Sequence, residues 1–176
     1  MRQITTDSFA KGPPKGQDAH VTQAKERPKE VLDATSLAII DQLQQDGRRS
    51  YAAIGQAVGL SEAAVRQRVQ RLTDTGVMQI VAVTDPMQVG FKRMALIGIS
   101  VSGDLQRAAQ TVELIGAVSY VVMTAGQYDL LAEVVCEDDT QLLEVLSAIR
   151  SIDDVTRTET FVYLKVRKQI YSWGTR

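Results

Sequence analysis

A chain of 176 residues with 44% hydrophobic residues has room for one large or two small globular domains. No apolar run reaches the ~18 residues of a membrane helix, and the N-terminus lacks the apolar core of a secretory signal. One cysteine (Cys136) makes no internal disulfide, which places the chain in a reducing cytoplasm. With one histidine (His20) it builds no zinc site either. The 20 basic residues against 21 acids, a net charge of -1, argue as an average against a nucleic-acid binder.

Residues 1–31 read as a flexible tail. Gly12-Pro13-Pro14-Lys15-Gly16 breaks any periodicity, and charges alternate with polar residues from Lys25 to Glu30. Residues 32–84 read as a helix–turn–helix domain. Asp33 caps a first helix to about Gln45 that carries Leu37, Ile40 and Leu43 on one stripe, and Asp46-Gly47 ends it. Ser50 caps a second, Tyr51–Val58, and Gly59 breaks it. Ser61 caps a third, Glu62–Thr75, with Val65, Val69 and Leu72 as its buried stripe. Met78–Thr84 reads as a strand, the beginning of a wing.

Asp85-Pro86 opens a linker over 85–91, since proline disfavours helix in the residue before it. Residues 92–168 then alternate: strand Met94–Val101, helix Asp104–Ile115, strands Val118–Thr124 and Tyr128–Cys136, helix Asp139–Ile149, strand Thr156–Val166. That order, βαββαβ, is the ferredoxin-like unit, so the fold class is α+β. An extension, 169–176, carries Tyr171 and Trp173. It is expected to pack on its own domain, or to contact another subunit.

The spacing Gly55, Gly59, Val65 is what a helix–turn–helix requires. A small residue sits where the helices cross, a left-handed residue in the turn, and an apolar residue returns to the first helix. Off the third helix's buried stripe lie Arg66, Gln67, Arg68, Gln70 and Arg71. Arg reads guanine and Gln reads adenine in a major groove, so Arg66, Gln67 and Gln70 are the expected base readers. Arg48, Arg49, Arg68 and Arg71, with Ser61 at the helix start, are the expected backbone contacts. From Gly47 to Gly76 there are five arginines against two acids, whereas 85–176 holds nine basic residues against twelve acids. The near-neutral total thus averages a basic reading patch and an acidic domain.

These residues resemble a known family. Leu32-Asp33, Asp46-Gly47-Arg48, Leu60-Ser61, Arg68-Val69-Gln70-Arg71-Leu72 and Gly76-Val77 are similar to the helix–turn–helix of the Lrp/AsnC (feast/famine) regulators. Val89-Gly90 resembles the family's linker, Gly126-Gln127-Tyr128-Asp129 its Gly-x-x-Asp turn, and Val155–Lys168 its last strand. Two positions depart: Ser36 where Asp is frequent, and Gly55 where Ala is usual, both residues being small. The resemblance implies a transcription regulator that binds double-stranded DNA. It also implies homodimers pairing through their sheets, tetramers or octamers built from them, and an amino-acid effector bound between dimers near the turn.

Around that turn, Met123, Thr124, Gly126, Gln127, Tyr128 and Asp129 form the expected effector set. Gly126 is either a positive-φ hairpin residue or a point of close ligand approach. In the second reading N–H groups hold a carboxylate and Asp129 pairs with an ammonium. Strand alternation puts Tyr128 on the face of Leu130, Ala132, Val134 and Cys136, opposite Asp129 and Glu133. The pairs Asp138-Asp139 and Asp153-Asp154 read as caps or solvated turns, and Cys136 as inert core. No P-loop or Ser-His-Asp arrangement is present, no cofactor is called for, and no membrane partner is expected. The alternatives are a siroheme-decarboxylase-like enzyme of the same architecture and a ligand-insensitive architectural DNA binder. The first would want histidines in the second domain, where this sequence has none.

Overall fold

The computed structural model describes residues 32–171, 174 and 175. The tail 1–31 and Trp173 lie outside the described residues. The chain divides into two compact units, one running to Val83 and taking in the segment from Lys168 onward, the other spanning Thr84–Arg167.

The first unit holds three helices, α1 (Ala34–Gln45), α2 (Tyr51–Val58) and α3 (Glu62–Asp74). Each begins where a short polar side chain satisfies an otherwise unpaired N–H. Asp33 accepts from the Ser36 N–H at 2.7 Å, Ser50 from Ala53 at 3.2 Å and Ser61 from Ala64 at 3.2 Å. The buried side chains Ile39, Leu43, Ile54, Val65 and Val69 form one core. Each contributes roughly 1.5–3 kcal/mol against exposure.

The turn between α2 and α3 depends on two glycines. Gly59 has φ +73°, a left-handed cap that suits glycine. Gly55 accepts the Leu60 N–H at 2.9 Å, and a Cβ at Gly55 would stand 2.5 Å from the Leu60 carbonyl oxygen. The expectation that any small residue serves at this crossing is therefore corrected. The obstacle is backbone rather than side chain, so even alanine requires the turn to move.

The expected strand over 78–84 is absent. Among the described residues this stretch joins no sheet: Met78 N–H donates to Leu72 O at 3.1 Å, and Ile80, Val81 and Val83 are exposed. β-propensity alone does not make a strand without a partner. The extension also departs from expectation: its described end packs on α1 rather than on the sheet it follows. The Gly174 N–H donates to Gln44 Oε1 at 3.0 Å, and the Thr175 hydroxyl donates to the Asp41 carboxylate at 2.9 Å.

In the second unit a short 3₁₀ turn, Pro86–Gln88, leads to β1 (Arg93–Val101), α4 (Leu105–Glu113), β2 (Val118–Met123), β3 (Leu130–Cys136), α5 (Asp139–Arg150) and β4 (Val155–Val162). The sheet is antiparallel throughout, in the order β2-β3-β1-β4. Ala95, Ile97 and Ile99 of β1 and Leu130, Ala132, Val134 and Cys136 of β3 face α4 and α5, whose Ala108, Val112, Val145 and Ile149 complete the core. β4 stops four residues short of the expected Val166. It runs alongside β1, which starts at Arg93, and its last bond is Tyr163 N–H to Met94 O at 2.8 Å.

The sheet's other face carries Leu96, Gly98, Leu131, Glu133, Val135, Tyr120, Glu159 and Phe161 by the same alternation. No helix of this unit lies over it: Tyr120 is 56% and Phe161 43% exposed.

Candidate functional sites

The outer surface of α3 is built by its caps and its buried stripe. With Val65, Val69 and Leu72 turned inward, Arg66, Gln67, Gln70 and Arg71 emerge into solvent. Arg66 pairs with Glu62 one turn earlier at 2.8 Å, and its guanidinium lies 5.3 Å from the Tyr51 ring centroid in the first turn of α2. Gln70 donates to Asp74 at 2.8 Å. Both are exposed i, i+4 contacts worth a few tenths of a kcal/mol, so an incoming ligand displaces them at little cost. Ser61 uses its oxygen as the α3 cap and keeps its proton for another acceptor. Arg48 is exposed and Arg49 half-buried just ahead of α2.

Arg68, expected among the phosphate contacts, is engaged within its own unit. Its Nη1 reaches both Asp33 oxygens, at 2.7 and 3.0 Å, and the Ser36 hydroxyl at 3.1 Å. The side chain is only 27% exposed. Position 68 falls one step from the Val65–Val69 stripe, so it points along the α1 boundary rather than outward. Ser36 and Arg68 together hold the Asp33 carboxyl down to about 2, Ser36 hydrogen bonds contributing most. Arg68 is thus a clamp between α3 and the start of α1. Sequence reasoning saw Asp33 only as a cap; it gave no sign that Ser36 and Arg68 would converge on it. It also missed Tyr51 beneath Arg66.

The loop Thr124–Asp129 departs from the expected geometry in two ways. β3 starts at Leu130, so the loop is not bound by strand alternation. The Thr124 N–H donates to Asp129 O at 2.9 Å and closes the loop. The Thr124 hydroxyl donates to Tyr128 O. Tyr128 therefore crosses to the opposite face from Leu130. A Cβ at Gly98 would lie 2.7 Å from its ring carbons, and its hydroxyl donates to Glu159. That hydrogen bond, with partial burial, pushes the phenol's pKa up. Gly98 inside an apolar strand was the available signal, because a strand glycine marks close approach of another group.

Asp129 accepts the Val101 N–H on Oδ2 at 2.8 Å, beside the register shift between Ser100 and Val101, and its own N–H donates to Ile99 O at 3.0 Å. One carboxylate oxygen is thereby committed to the fold. Gly126 does not have positive φ, which removes the hairpin reading. A Cβ there would meet nothing within 4 Å, so nothing in the described chain demands glycine. Met123 and Gln127 are exposed beside it. An open cleft elsewhere in the unit, lined by Val89, Gly90, Phe91, Lys92, Glu137 and Asp138, includes none of the loop residues.

Other expectations divide. Asp138 caps α5, accepting from Gln141 N–H at 2.9 Å. Asp154 is no solvated turn: it is 17% exposed and paired with Arg107. Cys136 is fully buried, and burial raises its thiol pKa. Glu133 accepts from the Tyr163 hydroxyl at 2.9 Å on the open face, and burial followed by that bond pushes Tyr163 up to about 12.

Three capped helices with a basic outward face, followed by an antiparallel ferredoxin-like unit, form the build of a DNA-binding regulator with a sensing domain. Residues 32–73 match the AsnC-type helix-turn-helix domain, and residues 94–173 the Lrp/AsnC ligand binding domain. The chain is 30% identical over 141 residues to the HTH-type transcriptional regulator FL11 of Pyrococcus furiosus, covering 79% of this chain and 93% of that one. Among solved structures it resembles the leucine response regulatory protein (LrpA) of Mycobacterium tuberculosis. There the TM-score is 0.74 at 27% identity, over 82% of this chain and 100% of that one. It also resembles a transcriptional regulator of Neisseria meningitidis in complex with L-Met, with TM-score 0.67 at 26% identity over 79% and 94% of the two chains. The chain belongs to the Lrp/AsnC family of transcriptional regulators, and is a DNA-binding protein of that class. No helix among the described residues is long and apolar enough to cross a membrane.

Proposed function

We propose that a homodimer of this chain places two α3 helices in successive major grooves of double-stranded DNA. In this reading Arg66, Gln67 and Gln70 read bases, while Arg48, Arg49, Ser61 and Arg71 fix the backbone register. The observation that carries the reading is the set of exchangeable side chains on the outer face of a helix whose inner face is fully committed. Arg68 keeps the helix in place rather than meeting phosphate.

The second unit senses an amino acid or similar metabolite at the loop 124–129. Gly126 supports this, since its missing side chain serves nothing within the subunit and leaves N–H groups open to a carboxylate. Asp129 retains one oxygen for an ammonium. Thr124 and Tyr128 shape the loop, and Met123 and Gln127 stand at its rim. No subunit encloses the loop alone, so the site is completed by a neighbouring copy in a tetramer or octamer of dimers. Pairing of the open sheet faces makes the dimer. The chain regulates rather than catalyses: its sole histidine, His20, precedes the matched domains in sequence, and its relatives are named as regulators. The protein works in the cytoplasm.

Footprinting on its own upstream DNA, with a thermal-shift screen of the L-amino acids, tests both halves. Protection of two half-sites about one helical turn apart is expected. Absence of any protected sequence would remove the DNA reading, and absence of any amino-acid shift would remove the effector reading.

A further inference from the structure

Tyr128 joins two parts of the molecule that the functional reading treats separately. It belongs to the candidate effector loop, yet its ring occupies the open face of the sheet. Three contacts hold it there. The ring covers Gly98 of β1, where a Cβ would stand 2.7 Å from ring carbons. The hydroxyl donates to Glu159 of β4. The ring meets Phe161 of β4 edge-on, with centroids 6.3 Å apart and planes at 72°. Glu159 also accepts from Arg157 Nη2 at 3.3 Å, so its carboxylate is aimed along the face.

The glycine gives the arrangement its meaning. Glycine in a strand interior is unfavourable, and Gly98 pairs with both neighbouring strands. The cost has a purpose only if the ring needs that space. Lifting the ring would bare Gly98, leave a hollow in the sheet face and strip Glu159 of its strongest donor.

We propose that Gly98, Tyr128 and Glu159 form a latch that fixes the loop 124–129 on the sheet face a second copy covers, so that loop state and self-association are read through one ring. The inference rests on the dimer face and effector loop proposed above. Gly98 and Glu159 act as positioning residues for the loop, and Tyr128 is its fastener rather than a pocket wall. A ligand that draws Gly126 outward would raise the ring and open a gap in the dimer face. A ligand that settles the loop would seat the ring and tighten the face.

The test uses the full chain without ligand, as wild type and as Gly98→Ala, Tyr128→Leu and Glu159→Gln. Amide exchange of residues 124–130 and the dimer dissociation constant are measured on the same samples. Gly98→Ala must displace the ring, so exchange in the loop and the dissociation constant should both rise, roughly tenfold, with α4 and α5 unchanged. Tyr128→Leu, which keeps bulk but loses the hydroxyl, should move both in the same direction. Glu159→Gln retains an acceptor and should move both less. A loosened loop with unchanged dimerisation overturns the latch, as does an unmoved loop in both Gly98→Ala and Tyr128→Leu. A wild type that stays monomeric overturns it together with the dimer reading. If no L-amino acid shifts the wild type's melting, the effector reading falls, while exchange and association still decide the latch.

Discussion

The outer face of α3 and the loop 124–129 hold their polar groups in opposite ways. On α3, Arg66 and Gln70 rest on Glu62 and Asp74 through exposed contacts within one helix. Such pairs are worth little and reform at once. In the loop, Asp129 and Tyr128 are tied to other strands, to the Val101 N–H and to Glu159. The first region is a helix whose polar fingers rest on displaceable partners. The second is a set of fixed fingers on a segment without regular structure. In the proposed reading, a surface that reads DNA needs side chains that release their partners. In the same proposed reading, a loop that reports on a ligand needs partners that register its movement.

The comparison breaks first at the helix's support. Gly55→Ala forces a Cβ against the Leu60 carbonyl, and should cost the first unit about 1–3 kcal/mol. Calorimetry should show that transition fall while the second unit's transition stays. An unchanged melting would mean the turn absorbs the Cβ, and that α3 is less rigidly set than argued.

Asp129→Ala leaves the Val101 N–H without its acceptor, at about 1–3 kcal/mol of stability in the second unit. Asp129→Asn keeps an acceptor and removes the charge. It should melt near wild type yet lose any amino-acid shift. A retained shift in Asp129→Asn would take the carboxylate out of the effector site.

Among the proposed DNA contacts, Arg71→Ala should weaken all duplexes alike and lower the salt slope by roughly one. Arg68→Ala should leave that slope unchanged and lower the melting of the first unit instead. A lowered slope in Arg68→Ala would return it to the phosphate set.

The smallest effect is one of pH. Folding lowers the Asp33 carboxyl from 3.8 to about 2, so its contribution is full above pH 4 and is lost as pH falls toward 2. Acid titration of the first unit's melting should show a step in that window which Asp33→Asn removes. A step that survives the substitution belongs to another carboxylate.

Much of this architecture was legible in the chain. Asp33, Ser50 and Ser61 announced helix starts because a cap is a local event, complete within three residues. The order βαββαβ followed from periodicities that also act locally. What escaped depended on partners distant in sequence. Met78–Thr84 has strand composition and no strand beside it. Tyr128 obeys no alternation because the ladder ends at Leu130. Arg68 looked like any other arginine of α3, and only the packing of α1 against α3 gives it Asp33 and Ser36. Of the candidate sites, the outward residues of α3 could be read from one helical stripe. The latch at Gly98 and Glu159 could not, since it joins β1, the loop and β4.

The claim that α3 reads bases through displaceable side chains is tested most directly by one comparison. Affinity of the wild type and of Arg66→Ala is measured for the footprinted site and for a scrambled duplex at one salt concentration. Arg66→Ala should lose about 1–3 kcal/mol on the footprinted site and almost nothing on the scrambled one, so the preference collapses. Equal weakening on both duplexes, with the preference intact, would contradict the account.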